Sequence, residues 1–384
     1  TIQQITNFLL LRGNIGKPGA GVCPVRGHSN VQGDRTMGIS ERMPESWLAR
    51  LDAEFGMRSP RGHGLDTVGT IRAMHEGRVG VFVGLGGNFL SATPDTEFTA
   101  AALRRCALTV QISTKLNRAH LITGRTALVL PCLGRSERDV RGGGEQFVTT
   151  EDSMGIINAS RGRLDPASPW LLSEPAIVCR LARTVFGVAP VSDRRSDAGP
   201  EGQYVSPESP QSPVENRRHA GGAVPWEEFE GGYDLIRDRI ARVVSGFEDY
   251  NRRVRAGPFY LPNAPRDLRA WQTPNGRANF LVAPIPRFWL DRSRAGAAPA
   301  ADYVMMTIRS HDQFNTTIYG LDDRYRGVFG GRRVVFMHED DIRAAGLQQG
   351  QWVDLTNRHG GVERVAKRFM VAPYRIPRGC IATY

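Results

Sequence analysis

Between residues 79 and 133, short apolar runs alternate with segments that have the pattern of a helix. Short apolar runs at 79–83, 108–112 and 127–130 have the length of buried strands, and residues 96–105 have the pattern of a helix. Strands that alternate with helices are typical of an α/β domain built on a mostly parallel sheet. We therefore expect an α/β fold for this part of the chain.

Two further segments have different patterns. Apolar residues from Tyr233 to Phe247 recur at steps of three and four, which predicts an amphipathic helix packed on a domain face. From residue 302 onward, short β-branched runs separated by glycines predict a small β-barrel, with one short helix that begins at the acidic residues 339–341 and ends near Gly346. The predicted strands of this barrel are 303–308, 334–336, 351–355 and 365–371.

The length and composition of the chain limit its class. A chain of 384 residues can hold two or three domains. No stretch approaches the ~18 uninterrupted apolar residues of a membrane span, so we expect a soluble protein. The first residue is Thr1 and an amphipathic run follows at once, which leads us to expect a piece of a longer protein.

The cysteines and the net charge narrow the choice of partners. Five cysteines stand singly, without the spacing of a zinc or iron-sulfur site, and this pattern favours a reducing, cytoplasmic location. The net charge is +11, and nearly all the basic residues are arginine. Arginine suits an anionic partner, and a phosphorylated cofactor fits better than nucleic acid because no recognition motif or basic run is present.

Four polar or glycine-rich segments carry the candidate chemistry. The first, GNIGKPGAG at 13–21 followed by PVRGHSNVQG at 24–33, combines glycines that let a ligand lie close with spaced polar side chains, although a structural turn is equally compatible. The second, VFVGLGGNF at 81–89, is a strand that runs into a glycine turn. It fails as a nicotinamide-binding motif because Phe89 stands in place of the third glycine.

The third and fourth segments follow predicted strands. In ISTKLNRAH at 112–120, hydroxyls and Lys115 suit phosphate or ribose oxygens, and the alternative is a solvated loop with a helix cap. The segment MTIRSHDQFNTT at 306–317 follows the first strand of the predicted barrel.

Taken together, these segments resemble the molybdopterin oxidoreductases, formate dehydrogenases especially. The resemblance implies that Arg26 lies beside the metal and orients a substrate carboxylate, and that His28 is a neighbouring proton acceptor. His28 stands where the family has glutamine, so the substrate is left open between formate and another small molecule. The alternative for His28 is a hydrogen-bonded loop histidine without a catalytic role. The positions that it assigns to cofactor binding are Asn30, Gly33, Gly87, Asn88, Ser113, Thr114, Lys115, Asn117, His120, Arg309, Ser310, His311, Asp312, Asn315 and Thr316.

The resemblance also implies the cofactor and the domain order. Two molybdopterin guanine dinucleotides (bis-MGD) would hold molybdenum or tungsten, and the family's iron-sulfur cysteines lie in an N-terminal half that these residues do not include. The expected pieces are the end of an α/β domain with a pterin-covering loop, a Rossmann-like dinucleotide-binding domain, a linker or insertion, a connecting helical and hairpin region, and an incomplete dinucleotide-binding β-barrel. Their expected bounds are 1–28, 29–190, 191–222, 223–298 and 299–384.

The expected function is the two-electron oxidation or reduction of a small substrate by the full-length protein. This chain alone is expected to be inactive and to bind no iron-sulfur cluster, because no cysteine pair has ligand spacing. The sequence leaves open whether an electron-transfer protein is a partner. The alternatives are a non-catalytic homologue that uses the cofactor pocket for structure or partner binding and, with less support, a nucleic-acid-binding protein.

Overall fold

The structure, a computed structural model, describes residues 2–24, 30–186, 224–284, 302–313 and 320–384, without the side chain of His359. The chain folds as two units. The first, called the α/β unit, is Ile15–Gln272; the second, called the β unit, combines Thr1–Asn14 with Thr273–Tyr384. Each unit has buried apolar clusters of its own.

The α/β unit contains a three-stranded parallel sheet. Its strands, β1 (Val81–Leu85), β2 (Leu108–Ser113) and β3 (Thr126–Pro131), are adjacent in chain order. These are the three strands predicted from the apolar runs, with ends that differ by one or two residues. The α/β fold class is therefore confirmed.

Helices cover both faces of this sheet. Met74 and Leu103 are fully buried on one face with Phe82, and Ile177 packs on the other against Val110. The described helices in chain order are α1 (Ile2–Leu11), α2 (Val31–Thr36), α3 (Glu45–Phe55), α4 (Thr67–His75), α5 (Phe89–Ala92), α6 (Thr96–Arg104), α7 (Glu174–Phe186), α8 (Trp226–Gly231), α9 (Tyr233–Val243), α10 (Tyr250–Ala256), α11 (Ala264–Leu268) and α12 (Glu339–Ala344). The predicted helix at 96–105 is α6.

A second core of the α/β unit lies around short antiparallel strands that the sequence did not predict. They are β4 (Val140–Arg141), β5 (Gly144–Glu145), β6 (Val148–Glu151), β7 (Ile156–Ser160) and β8 (Phe259–Tyr260). Phe247 and Tyr250 are buried against them. The predicted amphipathic helix is α9, which ends at Val243, so Val244 and Phe247 lie beyond the helix and are buried all the same.

The β unit is built on a mixed, five-stranded sheet. Its strands are β9 (Val304–Thr307), β10 (Val334–Met337), β11 (Trp352–His359), β12 (Val362–Pro373) and β13 (Cys380–Thr383), in the order β11-β12-β10-β13-β9. The sheet curls as part of a barrel and has edges at β11 and β9. The four predicted strands and the acidic start of α12 are present, and the His338 ring caps this helix by accepting a hydrogen bond from the Asp340 amide.

Within the β unit, α1 contacts the segment that begins at Thr273. A turn closes where the amide of Gly276 donates to the carbonyl of Thr273 at 3.0 Å, without flanking strands in the described residues. Beyond this turn, the side chain of Asn7 on α1 donates to the carbonyl of Leu281 at 2.8 Å. Among the described residues, no helix is both long and apolar enough to cross a membrane.

Candidate functional site

A cavity of about 770 Å³ opens at the carboxyl ends of the parallel strands in the α/β unit. Residues at the end of each strand or shortly after it contribute to its wall, and these are Gly86 and Gly87 at β1, Ser113, Thr114 and Lys115 at β2, and Leu133, Gly134 and Arg135 at β3. This edge is where open α/β sheets bind ligands, and the volume is in the range of small-molecule sites. The structure thus brings together Gly87, Ser113, Thr114 and Lys115.

Two glycines shape the β1 side of the cavity. Gly86 and Gly87 have φ values of +71° and +73°, which are in the left-handed region that side chains other than glycine rarely adopt. A Cβ added at Gly87 would have no atom within 4 Å. The turn therefore leaves open space beside the backbone, where a ligand can approach closely.

The cationic group that follows β2 on this wall is Lys115. The hydroxyl of Ser113 donates to the carbonyl of Lys115 at 2.8 Å, which fixes the loop after β2. In the part of the chain that the structure describes, the ammonium group of Lys115 has no carboxylate partner. An unpaired ammonium group in a cavity wall suits an anionic group of a ligand.

Two of the predicted residues, Asn117 and His120, support the wall instead of lining it. The side-chain amide nitrogen of Asn117 donates to the carbonyl of Gly87 at 3.1 Å. The side-chain oxygen of Asn117 caps the short 3-10 helix Arg118–Leu121. The His120 ring completes this cap by accepting a hydrogen bond from the backbone amide of Asn117. Asn88 precedes α5, and its Oδ1 is buried without a hydrogen-bond partner among the described residues.

The opposite wall comes from the loops around β4–β7. Glu137 accepts hydrogen bonds from the amides of Gly134 and Ala167, and these bonds hold the pKa of its carboxyl below the ordinary value. A Cβ at Gly162 would lie 2.1 Å from the carbonyl oxygen of Glu137, so only glycine fits at this crossing of two backbones. Arg135 donates to the hydroxyl of Ser160 at 2.9 Å, and this contact joins the two walls.

A buried hydrogen-bond network lies at the base of the cavity. The hydroxyl of Tyr233 donates to Asp139 at 2.5 Å and contacts the hydroxyl of Ser173. Burial, and then the bond to Asp139, raises the pKa of Tyr233, so this phenol stays protonated. Asp139 also pairs with Arg141 at 2.9 Å. The base of the cavity is therefore polar and fixed.

Asn30 and Gly33 lie elsewhere in the α/β unit, against β6. The Oδ1 atom of Asn30 accepts a hydrogen bond from the amide of Glu151 at 2.8 Å. Gly33 is buried, and a Cβ there would lie 2.2 Å from the same Asn30 oxygen. The structure therefore gives both residues a packing role, and their predicted contact with a cofactor stays a prediction.

Four predicted residues lie outside the described residues. They are Arg26 and His28 of the first segment and Asn315 and Thr316 of the last. Their roles remain those implied by the resemblance.

The other predicted residues of the last segment form a polar loop after β9 in the β unit. Ser310 is buried, and its hydroxyl accepts a hydrogen bond from Arg332. The His311 ring contacts the buried carboxylate of Asp323 at 2.9 Å. Arg309 has an exposed side chain, and its carbonyl accepts a hydrogen bond from Arg326 at 3.0 Å. Asp312, with φ +59°, turns the loop.

Several cavity residues were missed by the sequence analysis. Arg135 follows β3, so the same strand-end argument that identified Lys115 also applies to it. Asp139 and Tyr233 gave no such signal, because the first lies in an irregular segment and the second was assigned to helix packing. In the β unit, Asp323 was also missed, because a single acidic residue in a loop is usually solvated.

Comparisons with known proteins found one family model that matches part of the β unit and relatives that align with both units. Residues 303–384 match the profile of the molydopterin dinucleotide binding domain. The uncharacterized oxidoreductase Rv2900c of Mycobacterium tuberculosis H37Rv is 55% identical over 390 positions, which cover 100% of this chain and 45% of that protein. Protein YdeP of Escherichia coli K12 is 44% identical over 355 positions, which cover 92% of this chain and 42% of that protein.

The chain spans less than half the length of these curated relatives. Among solved structures, acetylene hydratase from Pelobacter acetylenicus aligns with a TM-score of 0.49 and 14% identity, over 88% of this chain and 42% of that one.

Proposed function

Because this chain belongs to the molybdopterin oxidoreductase family, we propose that it forms part of the binding site for molybdopterin guanine dinucleotide in a longer oxidoreductase. The observation that carries the proposal is the cavity at the carboxyl edge of the parallel sheet, whose wall contains Gly87, Ser113, Thr114 and Lys115. A second support is the match of residues 303–384 to a dinucleotide-binding domain.

The residues of the cavity fit such a cofactor. The basic groups of Lys115, Arg135 and Arg161 match phosphate oxygens, and the open space beside Gly87 admits a flat ring or a sugar close to the backbone. The buried Oδ1 of Asn88 is an acceptor without a described partner, and buried acceptors of this kind usually have one. The loop 309–312 of the β unit is proposed by itself as a cofactor-contacting segment.

The bound cofactor, with molybdenum or tungsten, supplies the two-electron chemistry, and the protein supplies binding and orientation. Arg26 is proposed to hold an anionic group of the small substrate with both nitrogens of its fork. His28, which stands where the formate dehydrogenases have glutamine, is proposed to accept or hold a proton beside it. The substrate class is therefore a small anion, of which formate is one member.

We also propose a cytoplasmic location and iron-sulfur ligands outside these residues. All five cysteines of the chain are free, and Cys106, Cys132 and Cys179 are buried. Burial raises the pKa of the Cys132 and Cys179 thiols to about 11, so they stay protonated and suit neither thiolate ligation nor rapid oxidation. No group of three or more metal-ligating side chains occurs in the residues that the structure describes.

The proposal is tested with Lys115→Ala in the full-length protein. Loss of a charge-assisted bond to phosphate costs ~1.5–3 kcal/mol, so the affinity for the cofactor should fall roughly ten- to more than a hundredfold. The measurement is the molybdenum or tungsten and pterin content per purified chain. Asn88→Ala is expected to lower this content in the same direction.

The matched control is Lys367→Ala. Lys367 is exposed on β12, and its side chain has no described ion-pair partner. Its removal should leave metal and pterin content at the wild-type value. If Lys115→Ala and Asn88→Ala both keep full content, the cavity is not the dinucleotide site.

A further inference from the structure

The most completely bonded carboxylate of the described β unit is Asp323, and the function proposed above gives it no role. Its side chain is 1% exposed. Oδ1 contacts the His311 ring at 2.9 Å, and Oδ2 accepts hydrogen bonds from Arg326 at 2.7 Å and from the hydroxyl of Tyr384 at 2.6 Å. The backbone amide of His311 also donates to Oδ2, at 3.3 Å.

Asp323 is ionised at neutral pH. Burial by itself would raise its pKa, but the hydrogen bonds from Tyr384, Arg326 and His311 outweigh this effect and hold the pKa well below the ordinary value. The same network raises the pKa of Tyr384 to about 12, through burial first and then the bond to Asp323. Tyr384 is therefore a donor, and Asp323 is an acceptor only.

This charge state determines which nitrogen of His311 carries the proton. An ionised carboxylate has no hydrogen to donate, so the 2.9 Å contact requires a hydrogen on Nδ1 of His311. The guanidinium of Arg326 lies 3.4 Å from the same nitrogen, but its Nη1 already donates to Asp323 and to the carbonyl of Arg309 at shorter distances. In the neutral form of the ring, the lone pair is then on Nε2.

The ring is also held in place on its face. His311 packs on Tyr325 with ring centroids 4.4 Å apart, and its side chain is 44% exposed. Among the described residues, nothing bonds to Nε2. Nε2 is thus a fixed and available hydrogen-bond acceptor on the polar loop after β9.

We propose that Asp323 is a positioning residue that fixes the Nδ1–H form of His311, so that Nε2 accepts a hydrogen bond from an N–H or O–H group of the bound dinucleotide. This inference rests on the proposed function, because His311 belongs to the loop assigned to the cofactor in residues 303–384. It specifies the chemistry of the contact: a base, pterin or ribose donor meets Nε2, since a phosphate oxygen would be a second acceptor.

The first test reads the proton position directly. Long-range ¹H–¹⁵N NMR of the chain, labelled at histidine nitrogens and assigned with His311→Asn, is recorded as a function of pH, and the neutral form of the wild-type His311 ring should carry its proton on Nδ1. Asp323→Asn should give a mixture of the two neutral forms, because an amide can donate as well as accept. A wild-type ring protonated on Nε2 would overturn the proposal.

The control is Asp341→Asn in the same unit. Asp341 is also buried, and it accepts hydrogen bonds from the amide of Gly379 and from Arg378 without contacting His311. The Asp341→Asn variant should leave the His311 signals unchanged even if its thermal unfolding midpoint falls. A shift of the His311 proton in Asp341→Asn would mean that general loosening, and not Asp323, controls the ring.

The second test separates the two nitrogens in the full-length protein. The amide of glutamine reaches the position of Nε2, whereas that of asparagine reaches only the position of Nδ1. We expect His311→Gln to retain pterin through extended dialysis and His311→Asn to lose it faster by a factor of roughly two to ten, as for one hydrogen bond. Equal loss from the two variants counts against the contact at Nε2.

The outcomes also separate this inference from the function on which it rests. If Lys115→Ala lowers cofactor content while both His311 variants retain it like the wild type, the cofactor site stands and the role of Asp323 fails. If the full-length protein contains no pterin at all, the proposed function fails and the contact at Nε2 fails with it. The NMR result then still decides whether Asp323 sets the form of His311.

Discussion

Phe247→Ala is expected to lower the free energy of unfolding of the α/β unit by about 3–5 kcal/mol, the usual cost of removing a buried phenylalanine. Phe247 is fully buried in the second core of that unit. Its ring lies 4.7 Å from that of Tyr250 and 6.3 Å from that of Phe259, measured between centroids. Alanine would leave these rings without contacts on one side. The shift of the urea midpoint measures the loss.

The matched control for this prediction is Trp170→Ala. Trp170 belongs to the same unit and is 87% exposed, so its removal should change the free energy of unfolding by no more than about 0.5 kcal/mol. If the two variants unfold at the same urea concentration, the aromatic cluster does not support the unit. An intermediate loss in Phe247→Leu would confirm that packing volume is the cause.

Arg26→Lys in the full-length protein is expected to cut turnover roughly a hundredfold while cofactor content stays the same. Lysine keeps the positive charge but lacks the planar fork that holds two oxygens of a carboxylate. A contact of this kind in the transition state is usually worth ~3 kcal/mol. The measurement is kcat with formate and other small anions, beside the metal and pterin content of the same preparation.

Arg42→Lys provides the control for the charge-preserving exchange. Arg42 is exposed, and its guanidinium has no described partner in the α/β unit. Turnover of this variant should equal that of the wild type. If Arg26→Lys also keeps turnover within a factor of about two, which corresponds to only ~0.4 kcal/mol, Arg26 is structural and the carboxylate-binding hypothesis is wrong.

The sequence predicted the elements whose pattern is local. In β2, Leu108, Val110 and Ile112 are apolar at every second position, and this short local pattern identified the strand. The antiparallel strands β6–β8 were missed because Val148–Glu151 contains one apolar residue and Phe259–Tyr260 is only two residues long. These strands exist through distant contacts, such as the pairing of Ile157 with Phe259 and the hydrogen bond between Thr149 and Tyr250.

The same distinction applies to the candidate site. The loops after β1 and β2 could be predicted because residues that follow parallel strands meet at one edge, and Gly87 and Lys115 do line one cavity. The far wall could not be predicted, because its approach to that edge depends on the crossing of Gly162 over Glu137, 25 positions earlier in the chain. Asp323 likewise gains its hydrogen bond from Tyr384, which directly follows the last strand, only through a contact between distant parts of the chain.

The discontinuous course of the β unit determines the order in which the protein can fold during synthesis. Asn7 and Leu281, whose contact joins the two chain segments of the β unit, are 274 positions apart in the chain. At about 5–20 residues per second, ribosomes need roughly 14–55 s to make the stretch between them. The α/β unit is continuous and can complete its cores in that interval. Helix α1 therefore leaves the ribosome long before Leu281 exists, and Asn7 can make this contact only after the α/β unit has been synthesised.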